Sequence, residues 1–153
     1  MRKWLVGLCL LMLLTGSAGA VSARSAVVLD AQTGQSLFAQ NADEVLPMAS
    51  TTKIMTALVA IEAGDLDRTY VVKKEYTLVE GSSMYLKEGE TISLRDTLYG
   101  LMLMSGNDAA LATAGECGGQ DAFVAAMNDK AAALGLQNTH FDNPNGLDLS
   151  LIH

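Results

Sequence analysis

The sequence predicts an α+β domain, and three observations predict it. Val27, Val28 and Leu29 lead into a turn-like Asp30–Gly34, and Gln35 to Ala39 resumes an extended pattern, which together read as a β-hairpin. Most of the remaining chain carries helical spacing, broken at Gly64, Gly118-Gly119 and Gly135. The third observation is a deficit. The chain stops at LSLIH, a few residues after a loop, and nothing there completes a sheet. A two-stranded hairpin is marginal alone and needs further strands or a packed helix. The expectation is therefore an N-terminal hairpin plus a helical part, with the later sheet strands missing.

Residues 1–20 are read as a signal peptide and residues 21–153 as one incomplete domain. Arg2 and Lys3 precede an eleven-residue apolar run, WLVGLCLLMLL, and small residues follow in TGSAGA. The run is short for a spanning helix, which needs about 20 apolar residues. This layout predicts export across the cytoplasmic membrane. Removing it takes away two basic residues and no acidic one, leaving 8 basic against 17 acidic and a net charge of −9. Such a charge argues against nucleic acid and anionic membrane surfaces as partners. Cys9 lies in the signal run, so Cys117 is the one cysteine of the mature chain and reads as a quiet structural thiol. His140 and His153 stand thirteen apart without clustered ligands, so no metal site is expected.

After the hairpin, residues 41–49 form a loop containing Pro47. A helix is expected from about Ser50 to Glu62, stopped by Gly64. TYVVKKEYTLV reads as a short strand, and GSSMYLKEGETIS as extended pieces with turns at Gly81 and Gly89. Ser93 opens a further helix, with Asp96 three residues on as an approximate capping box. Asn107 or Asp108 is expected to cap the next helix, which runs to Cys117. Asp121 is expected to cap the last one, ended by Gly135, and QNTHFDNPNGLD from Gln137 is a loop.

The residues able to carry chemistry begin with Ser50 and Lys53, three apart at a helix start and so neighbours on one face. Serine is a poor nucleophile until a base takes its proton. Lysine ordinarily titrates near 10.4, and burial lowers that value. The apolar run IMTALVAI behind Lys53 offers such burial. A plain alternative exists, because serine is a favoured helix cap and lysine can snorkel to water. A second element is Ser105-Gly106-Asn107, between two apolar helices, where serine can relay a proton and the asparagine amide can hold a carbonyl or the lysine. Helix capping would explain it equally well taken alone.

Together and in this order, Ser-x-x-Lys and Ser-x-Asn form a specific signature. The stretches VVLDAQTGQSLFAQNADEVLPMASTTKIMTAL, GSSMYLKEGETISLRDTLYGLMLMSGNDAA and LGLQNTHFDNPNGL resemble the D-alanyl-D-alanine carboxypeptidases, the low-molecular-weight penicillin-binding proteins of the peptidase S11 family. The likeness covers nearly all of residues 26–148. It implies a β-lactamase/transpeptidase-like fold. It implies that Ser50 is the acylated nucleophile and Lys53 its general base. Ser105 would pass a proton to the leaving amine, and Asn107 would position substrate and the Lys53 side chain. The implied partners are a peptidoglycan stem peptide ending in D-Ala-D-Ala and β-lactams as acylating inhibitors, with no metal or organic cofactor. The family's third motif, Lys-Thr-Gly, does not occur in this sequence. That motif would supply a second oxyanion donor, typically worth 10²–10³ in rate. The expectation is a truncated, weakly active or inactive chain. Two other readings stand beside it. One is a non-catalytic wall-binding remnant. The other is a β-lactamase, which would need a deacylating glutamate that nothing here marks.

Overall fold

The computed structural model describes residues 22–147. The expected signal peptide lies outside the described residues, as does the LSLIH end. Two compact units divide at Glu44 and Val45.

The first unit holds the hairpin. Strand β1 (Ala26–Leu29) pairs antiparallel with β2 (Ser36–Gln40), Val28 opposite Phe38, with a bulge between Val28 and Leu29. Asp30 builds the turn. Its carboxylate accepts from the Thr33 hydroxyl at 2.7 Å and from the N–H groups of Thr33 and Gln32 at 2.7 and 3.1 Å. These bonds, the Thr33 hydroxyl foremost, hold its pKa below the usual carboxylate value. Both faces of the hairpin carry exposed apolar side chains, including Val27, Val28, Leu37 and Phe38.

The second unit is mostly helical. A 3-10 turn (Ala49–Thr51) leads directly into α1 (Thr52–Ala63), which ends at Gly64 with φ of 79°. The expected helix from Ser50 is therefore tighter over its first turn. Strand β3 (Thr69–Val71) pairs antiparallel with β4 (Thr91–Ser93), Tyr70 opposite Ile92. The strand expected over TYVVKKEYTLV is only three residues long, because Lys74–Thr77 turns into a one-turn helix, α2. Three further helices follow: α3 (Leu94–Leu103), α4 (Asn107–Glu116) and α5 (Gln120–Ala133). Ser93 caps α3 as expected, accepting from the Asp96 N–H at 3.0 Å and donating to its carboxylate at 2.7 Å. The other two expected caps are corrected. Gly106 and Gly119 occupy the N-cap positions of α4 and α5 without a side-chain bond, and Asn107 and Asp121 fall inside the helices. Asn107 and Asp108 are buried, and their side chains are used on a neighbouring loop instead.

Helix α1 packs against α3, α4 and α5. Its inner face sends Met55, Ala57, Val59 and Ala60 into a core with Leu98, Leu101, Ala109, Phe123 and Met127. Ile54 and Ile61 lie on its exposed side. Alanines at 109, 110, 112 and 114 are almost fully buried, so α4 runs close to its neighbours. A smaller cluster of Tyr70, Val72, Tyr76, Leu86 and Ala112 seals the other side of α4. Tyr76 lies so tightly on α4 that a Cβ at Gly115 would stand 2.4 Å from its hydroxyl oxygen.

That contact reverses the usual sign of a helix substitution. Glycine to alanine inside a helix ordinarily stabilises by up to about 1 kcal/mol. Gly115→Ala should instead destabilise by about 1–3 kcal/mol through overpacking against Tyr76. Urea denaturation reads this directly, and a raised midpoint would contradict the packing.

Candidate active site

Ser50 and Lys53 meet as the spacing predicted. Ser50 is the middle residue of the 3-10 turn and is exposed. Lys53, one turn later, is 2 % exposed, so it does not snorkel to water. Its ammonium donates to Ser50 Oγ at 3.1 Å and to the Asn145 carbonyl at 2.8 Å. Burial lowers its pKa below the ordinary lysine value, and among the described residues no charged neighbour contributes to that shift. A serine open to solvent thus has, directly behind it, an amine whose neutral form is favoured by its surroundings.

The turn before Ser50 is held under strain. Ala49 has φ of 46°, in the left-handed region that alanine rarely enters. Gly146 packs against it so closely that a Cβ there would stand 1.9 Å from the Ala49 carbonyl oxygen. Residues 143–147 thereby brace the inner side of α1. The Pro144 carbonyl accepts from the Thr56 hydroxyl at 2.6 Å, next to the Asn145 carbonyl on Lys53. A cavity of about 400 Å³ opens beside this junction, bordered by Pro47, Met48, Ala49, Phe141, Asn143 and Leu147.

The second motif forms a separate cluster. Ser105 is half-buried, with φ of 55°, between α3 and α4. Asn107 opens α4 and is buried. Its Nδ2 donates to the Glu80 carbonyl at 2.6 Å, and its backbone N–H to the Ser82 carbonyl at 2.8 Å. Gly81 lies between those two carbonyls, where a Cβ would reach 3.1 Å from Nδ2. The amide nitrogen of Asn107 is thus engaged by the 80–82 loop and not by Lys53. Among the described residues, no hydrogen bond joins Ser105 or Asn107 to Ser50 or Lys53.

Sequence reasoning missed two supports of this site. Asp108 read as a helix cap. It is 1 % exposed and accepts from Ser83 Oγ at 2.6 Å and from the N–H groups of Leu86, Met84 and Ala109 at 2.9–3.0 Å. Desolvation pushes its pKa up, but these bonds, led by Ser83, outweigh burial and leave it below the usual carboxylate value. It ties the 83–86 segment to the start of α4. The second miss is the 143–147 loop. Its Asn-Pro-Asn-Gly sequence signalled a turn but not that the turn lies on Lys53. Cys117 behaves as expected: burial raises its pKa, partly offset by Arg68, whose Nη2 lies 3.2 Å from Sγ. Among the described residues, no helix is long and apolar enough to cross a membrane.

Comparison with known proteins adds the following. The family model described as D-alanyl-D-alanine carboxypeptidase, peptidase S11, matches residues 13–151. The D-alanyl-D-alanine carboxypeptidase DacB2 of Mycobacterium tuberculosis is 43 % identical over 126 residues, which is 82 % of this chain and 43 % of that protein. A crystal structure of a D-alanyl-D-alanine carboxypeptidase from the same organism superposes with a TM-score of 0.80 at 42 % identity, covering 86 % of this chain and 52 % of that one. Penicillin binding protein 6B from Escherichia coli superposes with a TM-score of 0.77 at 36 % identity, covering 88 % and 46 %. The chain thus spans about half the length of these relatives or less. The neighbours share the β-lactamase-like α+β fold expected from the sequence.

The buried lysine makes stability depend on pH. A lysine whose folded pKa is lowered contributes stability that is fully present above its unfolded value, about 10.4, and lost as pH falls through the folded value. Relative to Lys53→Met, the wild-type protein should therefore gain stability as pH rises toward 10.5. Paired urea titrations at pH 7 to 10.5 measure this. A difference that stays flat would show that Lys53 is not desolvated.

Proposed function

Because the chain belongs to the D-alanyl-D-alanine carboxypeptidase family of peptidase S11, we propose that its exposed serine carries out the acylation step of that chemistry. The substrate is a peptidoglycan stem peptide ending in D-Ala-D-Ala. Ser50 attacks the carbonyl between the two terminal D-alanines, and neutral Lys53 takes its proton. Ser105 gives its proton to the departing D-alanine amine and regains one from protonated Lys53, and water then hydrolyses the acyl-enzyme and frees Ser50. Asn107 orients the substrate amide. β-Lactams acylate the same serine, as expected for a relative of a protein named for penicillin binding. The N-terminal pattern of residues 1–20 supports export, so the site works outside the cytoplasmic membrane.

The observation that carries this reading is the hydrogen bond between Lys53 Nζ and Ser50 Oγ, made by a lysine with almost no access to water. It favours catalysis over a wall-binding remnant, which needs no base behind a serine. The helix start adds partial positive charge near the developing oxyanion. None of the lysines in the 153 residues is followed by Thr-Gly. The second oxyanion donor, and the like charge that would depress Lys53 further, are therefore not supplied by that motif.

A fluorescent penicillin tests the reading on the purified chain. The expected result is labelling of the peptide containing Ser50. The label should vanish in Ser50→Ala and fall at least tenfold in Lys53→Met, as for loss of a general base. Labelling of another residue, or wild-type labelling of Lys53→Met, would overturn the assignment.

A further inference from the structure

We propose that Asn143 is a positioning residue for Lys53: its side chain holds the 143–147 turn so that the Asn145 carbonyl aims the lysine amine at Ser50. This rests on the reading of Lys53 as the base. A neutral amine has two N–H bonds and one lone pair. The Asn145 carbonyl, 2.8 Å from Nζ, can only accept. In either protonation state Lys53 therefore spends an N–H on that carbonyl. In the neutral form the lone pair stays available for the proton of Ser50, 3.1 Å away. A water in place of the carbonyl could donate and consume the lone pair. The carbonyl thus does for Lys53 what a third group does for the base in a catalytic triad.

Asn143 is what fixes that carbonyl. Its Oδ1 accepts from the N–H groups of Asn145 at 3.2 Å and Gly146 at 2.7 Å, and its Nδ2 donates to the Leu147 carbonyl at 2.7 Å. Asn145 Oδ1 closes the turn by accepting from the Leu147 N–H at 3.0 Å. One half-buried side chain therefore engages backbone groups of three successive residues. The same turn delivers the Pro144 carbonyl to Thr56 and seats Gly146 on Ala49. Asn143 makes none of its three bonds to α1, so it acts on Lys53 only through the turn.

Among the described residues, four carboxylates of α1, of the helix packed on it and of the adjoining loops are engaged elsewhere. Asp108 of α4 is bound to Ser83 and its loop, Glu62 of α1 pairs with Lys130 of α5, Asp67 pairs with Arg95 of α3, and Asp142 with His140. Among the described residues, burial is what lowers the Lys53 pKa, and the 144–146 backbone contributes to that burial. If the turn loosens, water can replace the carbonyl as acceptor and also hydrate the ammonium, so the pKa rises.

The test follows the rate of Ser50 labelling by fluorescent penicillin from pH 6 to 10 on the whole chain. In Asn143→Ala the midpoint of the base limb should rise by about one unit, with about a tenfold loss of rate at neutral pH. Asn143→Ser keeps a weaker version of the same turn bond and should fall between Ala and wild type. If the alanine variant does not fold, the serine variant decides. A rate loss with an unmoved midpoint, or no change in either variant, overturns the positioning role. A wild-type limb that survives in Lys53→Met would instead show that Lys53 is not the base.

Discussion

A lysine ammonium removed from water, with a serine oxygen on one side and a backbone carbonyl on the other, is the interaction on which the rest of this site depends. An isolated buried charge is costly, and the ordinary response is a hydrogen-bonded partner or a shifted pKa. Lys53 has both. Neither acceptor is charged, so among the described residues no opposing carboxylate holds the amine in its protonated form. The neutral state remains accessible, which a base requires. Every element that buries α1 maintains this balance. The packing of Met55, Val59 and Ala60 against α3, α4 and α5 fixes the helix, and the 143–147 turn closes over its first residues.

Local strain is partly gathered at the site. Of the five described non-glycine residues with positive φ, Asn41 and Asp65 lie in turns elsewhere, whereas Ala49, Tyr85 and Ser105 lie in segments that carry or border the two motifs. Such conformations cost on the order of 1–3 kcal/mol each and persist when the surroundings over-determine them. Here the surroundings are identifiable. Gly146 lies under Ala49, and Asp108 gathers the N–H groups on either side of Tyr85. Asn107 ties the segment after Ser105 to the carbonyls of Glu80 and Ser82. Two of these anchors, Asp108 and Asn107, are buried polar groups that bonds to loop backbone make tolerable.

Much of this was legible in the sequence, for reasons particular to each element. The hairpin was visible because Asp30, Thr33 and Gly34 form a turn from local bonds alone. Helix α1 was visible from its length and Gly64, and the Ser93–Asp96 cap from its three-residue spacing. The Ser50–Lys53 contact was visible because one helical turn fixes it. What escaped was long-range. Asp108 looked like a cap because its partners, Ser83 to Leu86, lie more than twenty residues away. The Asn145 carbonyl lies ninety-two residues from Lys53, and a backbone acceptor leaves no mark in a sequence. Lys74–Thr77 turned helical despite its strand-like neighbours, because Tyr76 is drawn into the cluster against α4.

The central claim is that Lys53 is desolvated and, among the described residues, held by neutral acceptors alone. Lysine labelled with ¹³C at Cε, titrated by NMR from pH 7 to 12, tests it most directly. The account predicts one resonance, absent in Lys53→Met, that titrates below the ordinary value of about 10.4. Lys73, bonded to Tyr76 and Glu116 at the surface, should titrate above it. A Lys53 resonance titrating at or above the ordinary value would contradict the account.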